Sequence, residues 1–176
     1  MSKPEVWLRG PVDGVPALLQ PAAHSLLQCR EELEAAVASL TPEQIWDSRN
    51  GSASIGYHLR HAAASLDRLF TYARGATLSD AQLAVLKQES QPDPALGAAD
   101  LLAGFDAVVE RSLDQLRSTD ERVLTDVRHV GRAKLPSTVI GLLFHGAEHT
   151  QRHAGQIATL VKMLARARSV SDRSGR

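Results

Sequence analysis

Residues 139–164 read VIGLLFHGAEHTQRHAGQIATLVKML, and their spacing decides the fold. At about 100° per residue, Val139, Leu142, Ile157, Leu160 and Leu164 fall on one stripe, as the buried face of an amphipathic helix requires. His149 and His153 fall inside that stripe, one helical turn apart. His145 lies roughly 100° from its centre and reads as a flanking residue. Two imidazoles facing a helical core need partners for their ring nitrogens. A hydrogen-bonded core pair is one solution. The other is a metal ion gripped by both rings, with a third ligand from a neighbouring helix.

Working outward, the same period recurs in three more places. Ala17 to Leu40 carries Leu19, Ala23, Leu26, Leu27, Leu33, Val37 and Leu40 at helical spacing. A second helix is expected from a cap at Ser52 or Ser54 to about Arg74, with Gly75 as its stop. A third covers roughly Ala98 to Leu116. The fourth opens at Pro136-Ser137-Thr138 and ends near Ala165. Thr41-Pro42-Glu43-Gln44 resembles a helix start, with Thr capping and Pro in the first position. Arg49-Asn50-Gly51-Ser52 and Gln91-Pro92-Asp93-Pro94 are loop signals. Ser79 to Lys87 suits a short helix, and Val123 to Val130 a short extended piece within an irregular stretch from Ser118 to Leu135.

The expected fold is therefore all-α: a four-helix bundle over residues 17–165, with a long connection between its second and third helices. An irregular lead-in over 1–16 precedes it, and a Ser- and Arg-rich tail over 166–176 is expected to be disordered.

The second helix holds the candidate third ligand, in Tyr57-His58-Leu59-Arg60-His61. Its apolar stripe runs through Ile55, Ala62, Leu66, Leu69 and Ala73. His58 lies at the edge of that stripe and His61 further out, so pattern alone selects His58.

Composition narrows the function. With 176 residues, 43% apolar and 23% charged, the chain is long enough to bury a real core. Lys plus Arg equals Asp plus Glu at 20 each. A neutral chain lacks the broad basic surface that binds phosphate backbones, so no nucleic-acid partner is expected. No apolar run approaches the ~20 residues of a membrane span, and no membrane partner is expected. Met1 to Gly14 has no apolar core of a signal peptide, and a single cysteine, Cys29, offers no internal disulfide. Both fit a cytoplasmic location.

Residues Ser54-Ile55-Gly56-Tyr57-His58-Leu59-Arg60-His61, with Asp67-Arg68-Leu69 after them, resemble a motif of the DinB-like (YfiT-like) superfamily of metalloenzymes. His145-Gly146-Ala147-Glu148-His149, followed by Gln151-Arg152-His153-Ala154-Gly155-Gln156-Ile157, resembles it more closely. The likeness spans Ala17 to Leu164. It implies a four-helix bundle with a three-histidine site for a divalent metal ion, zinc or nickel. Carried over, the ligands are His61, His149 and His153; His61 replaces the His58 of the helical wheel because it precedes the small-residue run Ala62-Ala63-Ala64. The resemblance also implies homodimers and a small-molecule substrate. Some relatives use a low-molecular-weight thiol in S-transfer or isomerisation, and others are read as hydrolases. A thiol-dependent S-transferase or a hydrolase is thus the first expectation. A bundle with a purely structural metal, His58 or His145 completing four ligands, is the second. A dimerising module without metal is the third.

Other residues are read more plainly. Glu148 does not complete H-E-x-x-H, because Gln151 stands where the second His belongs. Gln156 is expected as a buried amide or a ligand contact. Tyr57 and Tyr72 are expected to pack, although either hydroxyl could donate a proton. Cys29 reads as a small core residue and His24 and His129 as bystanders. Arg60 and Arg68 are expected on a solvated surface, with a carboxylate-bearing cofactor as the alternative.

Overall fold

The chain is seen in a computed structural model that describes residues 3–48 and 51–174, with side chains through residue 167. Its helices are α1 (Gln20–Val37), α2 (Pro42–Ile45), α3 (Ile55–Ala73), α4 (Asp80–Gln88), α5 (Ala98–Ser118) and α6 (Val139–Ser174). An antiparallel hairpin, β1 (Val127–Val130) with β2 (Leu135–Thr138), precedes α6.

Local chemistry sets these boundaries. The Ser54 hydroxyl accepts the Tyr57 amide at 3.1 Å and starts α3, and Gly75 with φ +75° follows its end. The Arg128 guanidinium of β1 donates to the Ala73 carbonyl at 2.9 Å, covering an acceptor that α3 leaves open. A reciprocal box between Thr41 and Gln44 caps α2. Gly51 adopts φ +72° in the expected loop, of which Arg49 and Asn50 lie outside the described residues.

The four long helices share one core. Along α3, Ile55, Leu59, Ala62, Leu66, Phe70 and Ala73 are buried, meeting Leu26, Cys29, Leu33 and Val37 of α1, Phe105, Val109, Leu113 and Leu116 of α5, and Leu142, Leu143 and Ile157 of α6. Each of the buried Leu, Ile, Val and Phe side chains contributes about 1.5–3 kcal/mol by leaving water. Among the described residues α6 packs on α1 and α3, and α5 packs on the same two, so α1 sits diagonal to α3 and α5 diagonal to α6. The candidate site therefore spans the direct α3–α6 contact.

Two expectations are corrected. The segment Pro136-Ser137-Thr138 is strand rather than helix, because Leu135–Thr138 pairs with β1 across a turn at Gly131 (φ +66°) and Lys134 (φ +49°). A two-stranded ribbon has only edges, where a proline's missing N–H is tolerated. Thr138 still caps α6, its hydroxyl accepting the Gly141 amide at 3.1 Å. The helix then continues to Ser174, past the tail expected from residue 166, since Lys162-Met163-Leu164-Ala165-Arg166-Ala167 are strong helix formers with no glycine or proline stop; Gly175 and Arg176 lie outside the described residues. The lead-in is irregular but fixed: Val6 is buried, its amide donates to Gln28 at 2.9 Å, and Arg9 pairs with Glu31 through two contacts of 2.6 and 2.8 Å. Arg9 and Lys3 hold the Glu31 carboxyl down at about 2.

Candidate metal centre

The site begins with a close approach. A Cβ on Gly146 would stand 2.9 Å from the Phe70 ring and 3.1 Å from Leu66, so only glycine lets α6 come this near α3. One turn further along α6, that proximity brings His149 onto His61, their Nε2 atoms 3.0 Å apart. The next turn supplies His153, whose Nε2 lies 3.2 Å from that of His149. One ligand atom from each of His61, His149 and His153 lies within 4.8 Å of the others, the one grouping of at least three possible donors among the described residues.

The surroundings orient these rings. His61 Nδ1 is 3.0 Å from Glu89 Oε1, and a carboxylate there assigns the proton to Nδ1 and the lone pair to Nε2. Glu89 is itself buried, and Arg68 donates to its other oxygen at 2.9 Å. His153 Nδ1 faces His58 Nδ1 at 2.9 Å. Tyr57 stacks on His61, ring centroids 5.4 Å apart and planes 16° from parallel. Arg152 donates to His149 Nδ1 at 3.2 Å. Presenting His149 Nε2 to a cation requires the other tautomer, and the Arg152 side chain, 57% exposed, keeps its separate 2.7 Å contact with Glu148 if it swings away.

Burial favours the neutral form of His149, His153 and His58. It pushes His153 down to about 3, helped by the neighbouring His61, His149 and His58. It lowers His149 and His58 as well, with His61 adding to both. Neutral imidazoles are the form that ligates a metal. Three converging nitrogen donors, one backed by a buried carboxylate, fit zinc or nickel chemistry.

The sequence-derived trio His61, His149 and His153 is thus gathered at one point. His58, which the helical wheel selects, stands behind His153 instead, at the ring nitrogen turned away from the cluster. His145 is exposed and contacts Glu148 at 3.1 Å. Gln156, expected as a buried amide or ligand contact, is exposed and lines a surface cleft with His58 and Arg152, because the α6 stripe turns it outward. Arg68, expected on a solvated surface, is turned inward by Glu89. Arg60 reaches the Gln91 carbonyl at 2.8 Å and lies 5.8 Å over the Trp46 ring. Cys29 is buried, as expected, its sulfur 3.0 Å from Gln151 Oε1 and its thiol pushed up to about 12 by burial. His24 contacts the Gly10 carbonyl at 3.0 Å, and His129 lies exposed on β1.

Glu89 is the residue that sequence reading missed. It lies in a stretch without clear period, and its one signal is position: a carboxylate just after a short helix that carries no buried side chain.

Comparison with known proteins agrees with this architecture. A conserved protein from Enterococcus faecalis has a similar crystal structure, with a TM-score of 0.64 at 19% identity over 82% of this chain and 95% of that one. A DinB-like protein from Bacillus cereus gives 0.64 at 15% identity over 84% and 91%. At such identities the likeness shows the fold alone. Among curated proteins nothing matches. The model of the DinB superfamily matches residues 25–157, which contain α3, α5 and all three clustered histidines, and the chain belongs to that superfamily.

Proposed function

We propose that the chain is a metal-dependent enzyme acting on a small molecule, with one divalent ion, zinc or nickel, held by His61, His149 and His153. The observation that carries this reading is the convergence of those three ring nitrogens within 4.8 Å between α3 and α6. A divalent ion held there lowers the pKa of a thiol or a water and so supplies a nucleophile at neutral pH.

The chain's own residues have defined tasks. His61 is fixed in one tautomer by Glu89, and His153 is steadied from behind by His58. Burial keeps His149 and His153 unprotonated as pH falls below 7. Arg152, at the rim, offers a cation to an anionic substrate group. Cys29 is no nucleophile: its thiol is buried and stays protonated. A thiol used by this site therefore comes from a low-molecular-weight cofactor.

The structural-metal reading needs a fourth protein ligand. His145 points to Glu148 and His58 to the far side of His153, which supports three ligands and an accessible coordination position, the catalytic pattern. The test is turnover. Zinc- or nickel-loaded protein, incubated with electrophilic small molecules, consumes them in the presence of a low-molecular-weight thiol (transferase) or water alone (hydrolase), and His153→Ala does not. Loaded protein inert with a broad panel of both would favour a structural ion.

A further inference from the structure

The segment 79–91 inverts the usual burial pattern. Helix α4 has no buried side chain, and Leu83, Val85 and Leu86 are 38–44% exposed. The residue that follows it, Glu89, is only 6% exposed. A carboxylate goes inside while three apolar side chains stay out, so hydrophobic burial does not hold this segment in place. Polar contacts do. At one end Gln82 donates to Asp67 at 2.6 Å and to Thr71 at 2.8 Å, both on α3. At the other, Glu89 takes Arg68 at 2.9 Å and His61 at 3.0 Å, and Arg60 holds the Gln91 carbonyl at 2.8 Å.

We infer that 79–91 is a strap whose task is to set Glu89 behind His61, making Glu89 a positioning residue for the metal centre and coupling α4 to metal occupancy. This rests on the metal reading above. A cation on His61 Nε2 draws electron density from the ring and strengthens Nδ1–H as a donor to the carboxylate. Coupling of this kind is reciprocal: an ion that tightens the His61–Glu89 bond fastens the strap, and a fastened strap raises affinity for the ion. With so little apolar contact, α4 has few other interactions to slow its opening.

The experiment compares full-length wild type, Glu89→Gln and Gln82→Ala. Zinc affinity is measured by competition with a chromogenic chelator, and amide hydrogen exchange across α4 is followed with and without zinc. The charge-free, isosteric Glu89→Gln is expected to bind zinc roughly 10- to 100-fold more weakly. In wild type, zinc should slow exchange across α4; in Glu89→Gln it should not. Gln82→Ala, which loosens the strap's far end without touching His61, guards against a Glu89 variant that fails to fold. It should show a smaller loss of affinity and faster α4 exchange. A purely structural role for Glu89 would leave α4 exchange indifferent to zinc. Equal affinities in all three proteins, or zinc-independent exchange in wild type, would overturn the inference while leaving the metal site standing. A wild type that takes up no zinc would overturn both.

Discussion

The α1–α5 and α3–α6 contacts are built from the same kind of helix, yet they treat polar groups in opposite ways. Between α1 and α5, Leu33, Val37, Val109 and Leu113 fill the interior, while Arg30 and Glu110 pair at the surface. Asp106 faces Arg30, Glu34 and Glu110 there; its Oδ1 is buried without a hydrogen-bond partner, and burial pushes its carboxyl up. Between α3 and α6, His58 and His153 lie inside, with Glu89 buried beside them at the end of α4, each with a named partner. The packing contact pairs Arg30 with Glu110 at its surface and leaves the one carboxyl oxygen it buries, Asp106 Oδ1, unsatisfied. The contact that serves chemistry brings titratable groups in and satisfies them.

Mutations at the two contacts should separate stability from metal binding. The largest stability effect is expected at the packing contact: Leu113→Ala, 2% exposed, should cost about 2–5 kcal/mol in denaturant unfolding and leave metal stoichiometry in the folded fraction unchanged. Gly146→Ala at the other contact should do both. Its Cβ meets the buried Phe70 ring, an overpacking cost of about 1–3 kcal/mol that outweighs the roughly 0.5–1 kcal/mol gained from alanine's helix propensity. Because the clash separates α6 from α3, zinc affinity should fall with it.

Acid should act on the histidine contact specifically. His153 titrates at about 3 when folded and near 6.5 when unfolded, so below 6.5 the unfolded chain binds a proton that the folded one refuses. Its contribution is present above pH 6.5 and is lost as pH falls toward 3. His58 and His149, lowered in the same direction, add to the slope. Melting temperature should therefore drop across that window, and His153→Phe should flatten the drop. The smallest effect is expected at Asp106, where the sign reverses. Its folded pKa is raised, so ionisation penalises the folded state as pH rises. Asp106→Asn should raise the melting temperature slightly at pH 7 and leave it unchanged in acid.

The long helices were legible in the sequence because each carries a stripe that the core buries, and because Ser54 caps α3 and Gly75 follows its end where their chemistry requires. The clustered histidines on α6 were legible for the same reason: residues four apart share a face. The third member was not legible from pattern. His58 sits nearer the apolar stripe and is the more buried ring, 8% exposed, but its contact is with the back of His153. His61 reaches the cluster from the rim, where α3 and α6 meet, and only the crossing of two helices or the family resemblance could select it. Glu89 depends on a fold-back of 28 residues to His61 and has no periodic signature. The hairpin was hidden by Pro136, which suits a helix start as well as an edge strand.

The central claim is tested most directly by metal content. Wild type and His149→Ala, purified without a histidine tag or nickel resin, are compared by elemental mass spectrometry. The three-histidine account predicts about one equivalent of zinc or nickel per chain in wild type and none in the variant. No metal in either protein, with a melting temperature that zinc and nickel do not change, would contradict it.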